Sequence, residues 1–120
     1  METNNDQKKL PPELEIMMYI LIQNGMLPKN EKTYSKGKTL DDAIVINIRN
    51  DYVHQEYEIA RYLFFGQGYW HYKRISQSLL RVNNRYYDKL VFEVMGDAGV
   101  KHEEPLFFDI TVGYTGLRSH

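Results

Sequence analysis

The apolar residues of this chain recur first at helical spacing, then at strand spacing, then at helical spacing again, before giving way to three consecutive β-like runs. Leu14, Met17, Met18 and Leu21 stand three and four residues apart, which predicts a helix over 13–23, entered at Pro12 and stopped near Gly25. Ile16, Ile20 and Ile22 widen its apolar stripe beyond one face, so the sheet or another chain must cover it. Over 43–48, Ile44, Ile46 and Ile48 alternate with Val45 and Asn47, the period of a strand. Val53, Tyr57, Ala60 and Phe64 then fall at i, i+4, i+7 and i+11, which predicts an amphipathic helix over 52–65 ending at Gly66, with His54, Glu58 and Arg61 off the stripe.

The second half is β-rich from Trp70 to Val112 and turns at Asn83-Asn84. Two hairpin registers are open to it. A two-residue loop pairs Ile75 with Phe92, whereas a three-residue loop including Arg85 puts Leu80, Val82, Tyr86 and Leu90 on one face. The last strand alternates Leu106, Phe108, Ile110 and Val112 against Phe107, Asp109 and Thr111, after a polar loop over 96–104. Residues 27–38 read as a loop, and Thr39 to Asp42 has capping-box spacing that suits a single turn. The expected fold is a single α+β domain over 11–114, with flexible tails at 1–10 and 115–120. Its order is helix-strand-helix-strand-strand-strand, with a mainly antiparallel four-stranded sheet packed against one or two helices.

Composition narrows the chemistry more than it names it. With 120 residues, 42% hydrophobic and 26% charged, the chain is an ordinary globular domain with a net charge of −1. There is no cysteine, which excludes disulfides, thiolate metal sites and thiol catalysis. The longest apolar run, 16–22, is far short of the roughly 20 residues of a membrane helix, and the residues around it do not resemble a secretory signal. No membrane association is expected, and the default location is cytoplasmic. Ten tyrosines favour β packing and partly wet surfaces.

Catalytic patterns are weak. His54 has Glu58 at i+4, a surface pair, and no histidine spacing suits a metal. Gly37-Lys38-Thr39 lacks the first glycine of a phosphate loop, and Ser76 and Ser78 lack the context of a nucleophile elbow. Asp109 lies opposite the core residues of its strand and reads as a solvated or hydrogen-bonded structural carboxylate, with Asp88 similar. No cofactor is expected. A small enzyme using His54, His71 or Asp109 in a helix–sheet pocket is the third-ranked function.

The best candidate surface is 70–89, where Lys73, Arg74, Arg81, Arg85 and Lys89 stand among Trp70, Tyr72, Tyr86 and Tyr87 with Asp88 as the lone acid, a formal charge of +4. Aromatics interleaved with cations suit a protein interface, where tyrosine, tryptophan and arginine anchor partners. They also suit a platform for single-stranded nucleic acid, with bases stacked on rings and phosphates on cations. The leading expectation is a non-catalytic protein-interaction, inhibitory or regulatory module with a protein partner or self-association. Nucleic-acid binding is the alternative, and cross-strand pairs that only stabilise the hairpin are the structural explanation of the same residues.

Overall fold

The computed structural model describes residues 11–26 and 34–118, so the expected tail at 1–10 and most of the 27–38 loop lie outside the described residues. The elements are α1 (Pro12–Gln23), β1 (Ile44–Val45), α2 (Tyr52–Gly66), β2 (Tyr69–Val82), β3 (Arg85–Gly96), β4 (Lys101–Asp109) and α3 (Thr111–Arg118). They form an α+β domain whose four strands lie in the order β1-β4-β3-β2, antiparallel except for the short parallel pair of β1 with β4. No helix among the described residues is long and apolar enough to cross a membrane.

The core is one apolar layer between the helices and one face of the sheet. Met17, Ile20 and Leu21 of α1 and Ile59, Ala60, Leu63 and Phe64 of α2 bury against Leu90, Phe92 and Val94 of β3 and Leu106 and Phe108 of β4. Pairing carries that face across the strands, because residues opposite one another in an antiparallel ladder share a side. Seven of the ten tyrosines rim this core, and Tyr52, Tyr57, Tyr62 and Tyr114 among them come from helices rather than strands. The tyrosine excess therefore serves helix–sheet packing as much as strand pairing.

Four sequence expectations are corrected. The strand over 43–48 is reduced to Ile44–Val45, though Ile46 N–H still donates to Asp109 O at 3.0 Å and Ile46 remains buried. The helix stripe is rotated, since α2 buries Gln55, Glu56, Ile59, Ala60, Leu63 and Phe64 while Val53 is 46% exposed. The row 52, 56, 59, 63 has the same helical spacing as 53, 57, 60, 64, and the sheet takes the side that includes a glutamate. β4 starts at Lys101, inside the expected loop, and stops at Asp109, so Val112 lies in α3 rather than a strand and the chain is helical to Arg118. The Thr111 side chain turns the chain there, because it donates to Asp109 Oδ1 at 2.7 Å and accepts Tyr86 N–H at 2.9 Å.

The hairpin closes with the two-residue loop. Asn83 and Asn84 have φ of 51° and 65°, the left-handed pair that a tight hairpin turn requires and asparagine tolerates. Val82 accordingly pairs with Arg85. The register then slips at Ile75, so that Arg74 rather than Ile75 lies across from Phe92, and slips again at Trp70. Each bulge puts one extra residue into β2.

Candidate protein-binding edge

β2 is a fourteen-residue edge strand with no buried side chain. Its neighbour β3 buries Asp88, Leu90, Phe92 and Val94, so the core ends one strand short of the edge. Only the start of β2 is gripped, where Tyr69 and Tyr72 meet the ring of Phe64 with centroids 6.0 and 5.8 Å away. Beyond it Leu79 is 49% exposed and Trp70, at its bulge, 61%.

The backbone direction along β2 follows from its partner. Tyr86 O accepts Ile110 N–H at 2.9 Å and Tyr86 N–H donates to Thr111, so both peptide groups of Tyr86 point toward the β4 side. Arg81, opposite Tyr86, must then turn its own N–H and C=O away from β3, and the alternation of an antiparallel ladder extends this to Leu79 and Gln77. Among the described residues nothing pairs with the donors and acceptors that these three residues present on the outer side of the sheet. At the opposite edge the short β1 is capped. There the Asn24 amide at the end of α1 accepts Val45 N–H at 2.9 Å and donates to Val45 O at 3.0 Å, satisfying both outward groups of β1.

The residues expected to bind fall into two faces around this edge. Tyr72, Arg74, Arg81 and Tyr86 share the core-side face, while Lys73, Arg85, Tyr87 and Lys89 share the other, with Trp70 at a bulge between them. Tyr86 is stacked on Tyr114 at 4.6 Å and lies under the Arg81 guanidinium, and Lys89 lies over Phe107. No single flat row of rings results. Among the described residues Lys73, Arg74, Arg81 and Lys89 have no acidic partner within ion-pair distance, and Glu93, across from Lys73, is 3.2 Å from His71 instead.

Arg85 has a different task. Its Nε donates to Asp109 Oδ2 at 2.6 Å, and Asp109 is 5% exposed. Asp109 is thus the hydrogen-bonded structural carboxylate that its place opposite the core residues suggested. Arg85→Glu is expected to lower stability by about 1–2 kcal/mol, less than a fully buried pair would cost because the guanidinium is half exposed. Urea unfolding of the variant checks this, and unchanged stability would free Arg85 for binding.

The enzyme candidates do not converge. His54 is exposed on α2, and Glu58 pairs with Arg61 at 2.6 Å rather than with it. His71 meets Glu93 and Asp109 meets Arg85 on the side of the sheet away from the helices. His102, expected in a loop, is on β4, where its Nε2 is 2.9 Å from both Tyr69 Oη and Glu104 Oε2. Lys38 also donates to Glu104, so this carboxylate is a junction that ties the 38–42 turn to the sheet. Burial alone would raise the Glu104 pKa, but Lys38 and His102 outweigh it and hold the group below its usual range.

One pair of acids was not legible in sequence. Glu56 of α2 and Asp88 of β3 face each other inside the core, 0% and 3% exposed. Burial first, then the hydrogen bond to and charge of Asp88, push the Glu56 carboxyl up to about 10. Neither Glu56 oxygen receives a donor, and a buried carboxyl without donors favours its protonated form. Burial also raises the Tyr52 pKa, with Asp88, Glu56 and Tyr114 adding to it. The pair is buried, and two clefts along α2, lined by Met17, Glu58, Arg61, Tyr62 and Phe65 and by Pro11, Leu14, His54, Glu58 and Arg61, do not reach it. No group of three metal-ligating side chains occurs among the described residues.

The fold and this site define an α+β domain whose sheet ends in a long edge strand, β2, on one side and in the short, capped β1 on the other. Comparison with protein-family models, with curated proteins and with solved structures found no match.

Proposed function

We propose that this protein is a small, non-catalytic, cytoplasmic binding module that takes an extended segment of another protein onto the free edge of β2. What supports it above all is a long edge strand without a buried side chain, beside which none of the described residues forms a further strand. An unpaired strand edge is a template for another chain, and the straight stretch of β2 from Ser76 to Val82 is neither interrupted by a bulge nor paired on its outer side by a described residue. Main-chain bonds to Gln77, Leu79 and Arg81 supply affinity in this mode, and alternate side chains supply selectivity. Such a module serves an inhibitory or regulatory role by occupying its partner's segment.

Proline separates the two sides of the strand. At Leu79 it removes an outward N–H and leaves the β2–β3 ladder intact, whereas at Ser78 it removes a ladder bond. Leu79→Pro is expected to unfold within a few degrees of the parent, and Ser78→Pro well below it. In affinity capture from nuclease-treated lysate of the source organism, a protein retained by the parent chain should be lost with Leu79→Pro. Full retention by that variant, or an empty column with the parent, would count against strand addition.

A further inference from the structure

We infer that the segment accepted by β2 is acidic, with carboxylates on the core-side row where Arg74 and Arg81 stand; this rests on strand addition at the same edge. β2 carries Lys73, Arg74 and Arg81 and contains no aspartate or glutamate. The Arg74 guanidinium holds Gln77 Oε1 at 3.2 Å and the Arg81 guanidinium holds Asn84 Oδ1 at 3.2 Å, both neutral acceptors. Among the described residues no carboxylate compensates their charges where an arriving backbone would pass. The bulge at Ile75 removes one residue from the count, so the two arginines are six ladder steps apart on the same face, about 20 Å at strand rise. A partner strand on Ser76 to Val82 with acids on one face meets Arg81 and, where its guanidinium reaches Gln77, Arg74, while its other face meets Leu80 and Val82.

The same features discriminate against the other occupants. Pairing β2 with β2 of a second copy would gather six cations without one carboxylate, and like charges across a strand pair are destabilising. The bulges at Trp70 and Ile75 further limit the straight template to the stretch from Ser76 to Val82, a form of protection against edge-to-edge self-pairing. For single-stranded nucleic acid the rings are divided between the two faces, and Tyr86 is already stacked on Tyr114.

The test is fluorescence polarisation with the full chain and three labelled probes: a peptide alternating glutamate and valine, one alternating lysine and valine, and oligothymidine. The glutamate peptide is expected to bind at least about tenfold tighter than the lysine peptide and to weaken by a similar factor between about 50 and about 500 mM salt. Arg74→Gln with Arg81→Gln should weaken it about tenfold while circular dichroism and the unfolding midpoint stay those of the parent, and Leu79→Pro should abolish it. Equal binding of the two peptides, lost with Leu79→Pro, would overturn the acidic partner and leave strand addition standing. Failure of the glutamate peptide to bind would overturn the inference, with the lysate capture deciding strand addition separately. Tighter binding of oligothymidine, or a dimer by light scattering that Leu79→Pro dissociates, would replace the acidic segment by nucleic acid or by a second copy.

Discussion

Glu56→Gln is expected to make this protein more stable at neutral pH, and increasingly so as pH rises. The carboxyl is raised from 4.5 to about 10 by folding, so the native state holds a proton that the unfolded chain gives up above pH 4.5. A raised pKa contributes stability that is complete below the unfolded value and is lost as pH climbs toward the folded one. The loss is about 1.4 kcal/mol per pH unit, hence about 3 kcal/mol by pH 7. Glutamine matches glutamate in shape, has no proton to lose, and carries an amide donor beside Asp88. Urea titrations at pH 5.5 and pH 8 give the sign directly: the advantage of the variant should grow by about 3 kcal/mol between them. A constant difference across that range would show that Glu56 is ionised in the native protein.

Phe64→Ala is expected to cost about 4 kcal/mol and to lower the unfolding midpoint by about 15 °C. Phe64 is fully buried, and its ring lies 5.0 Å from that of Phe92, with Tyr69, Tyr72 and the Lys38 ammonium around it. It therefore joins α2, the centre of the sheet and the beginning of β2. Truncation leaves a cavity at that junction and releases the one part of β2 that the core grips. Phe65→Ala next to it is the control, because Phe65 is 80% exposed and its loss should stay within about 0.5 kcal/mol. Thermal unfolding of the two variants checks the contrast, and equal effects would show that the helix faces the sheet differently.

These two residues also mark the limit of periodicity. The spacing of Val53, Tyr57, Ala60 and Phe64 located α2 and its end, but a stripe of that width is compatible with a rotation of the helix by a fraction of a turn. The rotation observed buries Glu56 and exposes Val53. Only the position of Asp88 on β3 gives an inward glutamate a partner, and Asp88 reaches the core-side face because it alternates in step with the buried Leu90, Phe92 and Val94 of the same strand.

The candidate edge was legible in part. The aromatic and basic content of 70–89 pointed to the hairpin that carries the edge strand, yet it could not distribute nine residues between two faces, because β2 has bulges at Ile75 and Trp70 that no local signal announces. Nor could it identify Arg85 as engaged, since Asp109 is 24 residues away and comes alongside only through the β3–β4 ladder.

By itself, the sequence determined what depends on neighbours within one or two turns: the two long helices, the hairpin and its turn residues, the α+β class, and the absence of thiol chemistry. Those features follow from side-chain period and backbone preference, which are local. Strand order, the shortness of β1, the α3 turn at Thr111, the buried acid pair and the exposure of β2 were decided by tertiary structure. Each depends on which surfaces meet across distant segments. The open edge is the clearest case, because a strand is an edge strand only by virtue of what does not pack beside it.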